Sequence, residues 1–217
     1  PQDMAFSVFI SATIVGPADT AGYPATLTID SIVPDTAAPP PPVINLASAR
    51  GLSYHAHLTR LGELRHPVAS DTAIAQGLGQ LIGGFRNFFP RLPAAGAVPG
   101  AEWSDTTTTR DPSAVSTLTV LTQAHHVAAA WETADGERRL PIDVAATFTI
   151  SGTGSAGGQS FTLAGSGRQS MRSYLAADGR FLGGEATDTT DMTITLSAQG
   201  IVVPRHQISH ATITVLH

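Results

Sequence analysis

"LPIDVAATFTISGTGSAGGQSFTLAGSGRQSMRSYL" (residues 140–175) decides the fold class. Two extended runs, 140–151 and 159–175, flank the glycine cluster "GTGSAGG" at 152–158, a strand–turn–strand pattern. The pattern continues on either side. Strands are predicted over 103–109, 115–123 and 125–134 before it, and over 181–187, 190–198 and 201–216 after it. Asp135-Gly136, Asp178-Gly179 and Gln199-Gly200 supply turn dipeptides between them. The resulting chain of short connections is a meander of antiparallel strands.

The N-terminal part obeys the same rule. In "MAFSVFISATIV" (4–15), Met4, Phe6, Val8, Ile10, Ala12 and Ile14 alternate with smaller or polar residues, a strand period. "GPADTAGYP" (16–24) is turn material and "ATLTIDSIV" (25–33) resumes the extended pattern. "GLSYHAHLTRLGELRH" (51–66) reads as a strand with Leu52, Tyr54, Ala56 and Leu58 inward, then a turn near Gly62. One helix is predicted, over 70–89. Ser70 or Asp71 can cap it, Pro90 stops it, and Ile74, Leu78, Leu81, Ile82, Phe85 and Phe89 recur at helical spacing. The expected class is α+β and mostly β. It would be one curved antiparallel sheet or incomplete barrel of about ten to twelve strands, with that helix against it. The segments are a hairpin (1–33), a Pro-rich arm (34–50) and a main domain (51–217), together one domain.

Composition narrows function. Charged residues are only 13% of the 217, against about 25% in a typical globular domain. Alternating Thr and Ser can supply a neutral solvated sheet face instead. The twelve basic residues are all arginine, which excludes Schiff-base lysine chemistry and the phosphate-loop lysine. With no cysteine, disulfides, thiolate metal sites and cysteine nucleophiles are excluded too. A net charge of −5 with scattered arginines gives no nucleic-acid footprint. No run of about 18 apolar residues exists, so no transmembrane segment of its own is expected. The chain begins at Pro1 without a basic-then-apolar leader, and is read as a mature, exported form.

The stretch "FPRLPAAGAVPGAEW" (Phe89 to Trp103) follows the predicted helix and leads into the meander, with the local spacing Val98-Pro99-Gly100-Ala101-Glu102-Trp103. In this order of elements, roughly over 46–217, the chain resembles exported bacterial β proteins. Their shape is similar to the half-barrel of periplasmic lipoprotein carriers and of mycobacterial lipid-binding lipoproteins. The resemblance implies a half-barrel and a lipid-type ligand. Lipid anchoring does not carry over, because no lipobox cysteine is present.

Candidate chemistry is sparse. His55 and His57, two apart on a strand, share a face at a spacing that suits a metal, as do His206 and His210 if 201–216 is one strand. Inward Tyr54, Ala56 and Leu58 would turn the first pair to solvent, so no metal site is expected. Glu185, Asp188 and Asp191 lack the alternating spacing of a calcium loop and are read as edging a turn or covering a sheet face. Glu132, Asp135 and Glu137 surround a hairpin tip. "GLGQLIGG" has the wrong spacing for a dinucleotide fingerprint and lies within the predicted helix. No Gly-x-Ser-x-Gly elbow exists, so no catalytic residue is assigned and no cofactor is expected.

Function then rests on two features. Pro39, Pro40, Pro41 and Pro42 form a stiff arm that loses little entropy on docking; with Val43, Ile44 and Leu46 as apolar anchors it is the candidate partner-binding segment. Phe85, Phe88, Phe89, Trp103 and Trp131 are candidates to line an apolar cavity between sheet and helix. The first reading is a non-enzymatic accessory or structural subunit of a bacterial envelope or membrane complex, for which photosynthetic reaction-centre and respiratory assemblies are examples. It would be periplasmic or exported, and held at the membrane by its protein partners. The alternative is a periplasmic carrier for a lipid or other apolar ligand.

Overall fold

The computed structural model describes residues 6–34, 46–75, 78, 89–112, 116–134, 136–156, 158–196 and 198–215. They form eleven strands and one short 3-10 turn, so the mostly-β reading holds. The strands make two antiparallel sheets, neither closed into a barrel. The chain divides into two compact units, Pro1–Ala94 and Ala95–His217.

The first unit is a four-stranded sheet in sequence order: β1 (Phe6–Ile14), β2 (Tyr23–Pro34), β3 (Ser53–Leu58) and β4 (Leu64–Ala69). β1 and β2 form the expected hairpin, with a register shift between Phe9 and Ile10. Alternation on β2 buries Ala25, Leu27 and Ile29. Leu27 packs with Ala56 and Leu64, and Ile29 with Ala49, Leu52 and Leu78. The predicted turn near Gly62 joins β3 to β4, with Gly62 at φ 80° and no room for a Cβ against the Pro90 carbonyl. Residues 72–75 and Leu78 are helical. The expected cap is in place, since Asp71 Oδ1 accepts from the Ala73 and Ile74 amides at 2.9 and 3.0 Å. Phe89, the last residue of the predicted helix, lies in a bend rather than a helical turn, next to Pro90. Residues 76, 77 and 79–88, including Leu81, Ile82, Phe85 and Phe88, lie outside the described residues, as do Pro39 to Pro42, Val43 and Ile44.

Leu46 lies within reach of the structure. The 3-10 turn Leu46–Ala49 lies at the C-terminal end of the arm, and Leu46 packs against the cluster of Ile29, Ala49, Leu52 and Leu78 in its own unit. Part of its side chain is covered there and part remains accessible.

The second unit is a seven-stranded sheet of unusually long strands. They are β5 (Glu102–Pro112), β6 (Ser116–Ala128), β7 (Glu132–Ala134), β8 (Glu137–Ala156), β9 (Gln159–Ala176), β10 (Phe181–Leu196) and β11 (Ile201–Thr214). The order is β11-β10-β9-β8-β6-β5, with β7 continuing beside β8 beyond the end of β6. Two expected breaks are absent. β6 runs through Ala124, and β10 through Asp188 and Thr189, because both stretches pair on each side without interruption. Local polarity there imitates a turn, but a strand with a partner on either side satisfies its backbone groups better extended.

One side of this sheet is apolar. At the end formed by Ala128, Leu140, Ile142, Val144 and Leu175 it is buried. Towards the hairpin tips the same side carries Phe148, Ile150, Phe161, Leu163, Met192 and Ile194, all half-buried. Glycines on this side stand where a neighbouring backbone or ring comes close. A Cβ on Gly165 would come within 2.6 Å of the Asp191 carbonyl oxygen, and one on Gly152 within 2.8 Å of that of Thr117. At Gly167 the position is filled by the Phe148 ring. No helix among the described residues is long and apolar enough to cross a membrane.

Candidate functional site

Strand register builds the opposite, polar side of the seven-stranded sheet into rows. Thr106, Gln123, Thr147, Arg168, Thr189 and Ile208 stand side by side across β5, β6, β8, β9, β10 and β11. The row on one side is Ser104, His125, Ala145, Ser170, Thr187 and His210. The row on the other is Thr108, Leu121, Thr149, Ser166, Asp191 and His206. Period-two alternation gathers these hydroxyls, amides and imidazoles on one face, with Leu121, Ala145 and Ile208 among them, and leaves most of the aliphatic residues on the other.

Two troughs lie over these rows. One, of about 560 Å³, is lined by Leu121, Gln123, Thr149, Ser166, Arg168 and Asp191, among others. The second, of about 640 Å³, is lined by Ser104, Thr106, His125, Ser170, Thr187 and Arg168, among others. Gln123, Thr147, Arg168 and Thr189 line both, so the troughs share a floor along the middle row.

Three arginines near the rows are paired with carboxylates. Arg172 grips Asp143, its register partner, through Nε and Nη2 at 2.6 and 2.8 Å, which holds the guanidinium's pKa above its ordinary value. Arg139 bonds Glu132 at 2.6 Å and stacks 3.9 Å over the Tyr174 ring. Arg180 reaches Glu137 and Asp178. Asp178 is accordingly held below its ordinary value, chiefly by the Arg180 side chain.

The histidines show a recurring device. Thr26 meets His55 at 3.1 Å, Ser104 meets His125 at 3.3 Å, and Thr187 meets His210 at 3.0 Å. Each is a directly opposed cross-strand pair. The Ser104–His125 pair has Glu102 Oε2 3.7 Å from Nε2, in the order nucleophile, base, acid. Three features argue against hydrolysis. The acid contact is too long for a hydrogen bond. Both His125 and Glu102 are more than half exposed. The same hydroxyl–imidazole pairing recurs at two other places, as a strand-pair motif would.

The sequence-derived site residues separate. His55 and His57 belong to the first unit, where His57 meets Asp19 at 3.2 Å. His206 and His210 belong to β11, with His206 2.7 Å from Asp191. Among the described residues no three metal-ligating side chains converge. Glu185, Asp188 and Asp191 edge no turn; they lie along β10, with Asp188 on the apolar side and the other two on the polar side. Trp103 stacks on buried His126 at 5.1 Å between near-parallel rings, and His126 Nε2 meets Asp105 at 2.9 Å. Trp131 lies beneath the Arg138 guanidinium at 4.7 Å. Phe89 is half-buried. Neither trough is lined by Phe89, Trp103 or Trp131. The polar rows escaped sequence reading because Thr and Ser carry no motif; only register shows which of them adjoin.

No protein-family model, characterised protein or solved structure matches this chain.

Proposed function

We propose that the protein is a non-enzymatic accessory subunit of a bacterial envelope assembly, joined to a protein partner along the edge strand β11. One observation carries this reading. Among the described residues β11 pairs only with β10; it runs for 14 residues without a register shift and exposes Ile201, Val202, Val203 and Ile208. Edge strands are usually guarded by bulges, lysines or short length, because their free amides and carbonyls template pairing. β11 has Pro204 and Arg205 as its guards, and among polar residues such as His206, Gln207 and His210 it presents Ile201, Val202, Val203 and Ile208 along a ready ladder. Strand addition by a partner uses such an edge for affinity and its side chains for specificity. Low overall charge fits a subunit that shares its surface with a partner, and the all-arginine composition is in keeping with a bacterial source.

A second reading, a carrier for a lipid or other apolar ligand, draws on the half-buried apolar side of the sheet near its hairpin tips. The resemblance to half-barrel carriers points the same way.

Photo-crosslinking in the source organism tests the first reading. A benzophenone side chain replacing Ile208 should give one discrete adduct with a second protein. The same group at Val98, equally exposed but off the sheet edge, should give none. Equal labelling from both positions, or no adduct from Ile208 while a stoichiometric lipid co-purifies, would replace the subunit reading with the carrier.

A further inference from the structure

We infer that the polar face of the seven-stranded sheet is a binding site for an acidic oligosaccharide, a chain of hydroxyl-rich sugar units bearing carboxylates, seated across the strands with a carboxylate on Arg168. This goes beyond the edge-strand reading and does not depend on it.

The charge pattern is the first support. Arg139, Arg172 and Arg180 of the same sheet are each held by carboxylates. Arg168, between Thr147 and Thr189 in register and between Ser166 and Ser170 along β9, has no ion pair among the described residues, and neither has Arg110 on β5 of the same face. Of the two, only Arg168 lines the troughs. It lines both troughs, at the point where they share a floor. The nearest acid of the adjoining row, Asp191, is turned to His206. A guanidinium surrounded by neutral hydroxyls and open to a trough offers a planar fork to a carboxylate.

The rest of the floor selects the chemistry around that carboxylate. Thr106, Gln123, Thr147 and Thr189 each offer both donor and acceptor atoms, as sugar hydroxyls do. They repeat at the interstrand spacing of about 4.8 Å, close to the advance of one sugar unit along an extended chain. Leu121 and Ala145 in the flanking rows give the C–H faces of the rings small apolar rests. An extended peptide would instead seek a strand edge, and the floor residues here have their backbone groups already paired on both sides from β6 to β10.

Titration with tetragalacturonate, followed by backbone amide NMR shifts and calorimetry, tests this, with maltotetraose as the neutral control and inorganic sulfate as the bare-anion control. Tetragalacturonate should shift amides at 123, 147, 168 and 189 and bind at least about tenfold more tightly than either control. Arg168→Gln should weaken it by about tenfold or more while leaving the melting temperature unchanged, because the side chain is exposed and makes no ion pair among the described residues. Thr147→Val, which keeps the charge and the shape, should weaken it less. The proposal fails if tetragalacturonate gives no saturable shift at millimolar concentration, or if its shifts map elsewhere. It fails equally if maltotetraose or sulfate binds as well, or if the well-folded Arg168→Gln protein binds undiminished.

Discussion

Asp188 stands half-buried on the apolar side of β10, between Gln169 of β9 and Ser209 of β11 in register. Partial burial pushes its pKa up, and the hydrogen bond from Gln169 offsets only part of that. A carboxyl whose folded pKa lies above its unfolded value of 3.8 holds its proton longer in the native state than in the unfolded chain. Its contribution to stability is therefore full below pH 3.8, falls as pH rises through the folded pKa, and stays low at neutral pH. Asp188→Asn removes that loss. Urea unfolding at pH 7 should give a higher midpoint for Asp188→Asn than for wild type, and the gap should narrow towards pH 3.8. A lower midpoint for Asp188→Asn at pH 7 would mean that the carboxylate makes a favourable contact there. At this scale the sequence was legible where alternation alone decides, as with inward Leu52 and Ala56 and outward His55. It was not legible where a partner decides. Nothing local to His125 announces Ser104, and nothing local to Glu185, Asp188 and Asp191 shows that one of the three faces the other way.

At the scale of elements, β8 and β9 form the spine of the second unit, and glycines in both stand where neighbours come close. The sequence reading found the β8–β9 turn, the turns before and after β10, and the helix cap at Asp71, because glycine and capping residues act through their own backbone. It broke β6 and β10 too early, since Ala124 and the run from Thr187 to Thr190 look like turn material until their neighbours on both sides are known. Gly167 makes the point energetically. Its missing side chain is replaced by the Phe148 ring, with the Thr189 carbonyl close by, an aromatic covering a glycine across a strand pair. Gly167→Val must displace that ring or spread β9 from β10, and overpacking of this kind costs about 1–3 kcal/mol. Chemical denaturation should show a loss in that range for Gly167→Val, and a much smaller change for Ser166→Val on the open polar face. Equal effects at the two positions would show that Phe148 is free to move aside.

At the scale of the whole molecule, the sequence supported a mostly-β chain with a strand count of the observed size, and an incomplete barrel rather than a closed one. It did not separate the two sheets. The strands of both follow one another through similar turns, and which sheet a strand joins is a matter of long-range pairing. The open second sheet is what both readings of function require. The subunit reading needs the bare edge of β11, and the carrier reading needs the apolar side left accessible by incomplete closure. An edge strand of an antiparallel sheet has a simple signature, because alternate amides point to the neighbour and the remainder point to solvent. Residue-resolved amide hydrogen exchange on the isolated chain reads this directly. Along Ile201–Thr214, fast and slow amides should alternate, while the central residues of β8 and β9 should be slow at every position. Uniform protection along β11 in the isolated chain would show its edge already covered, by closure of the sheet or by a second copy, and would contradict the account.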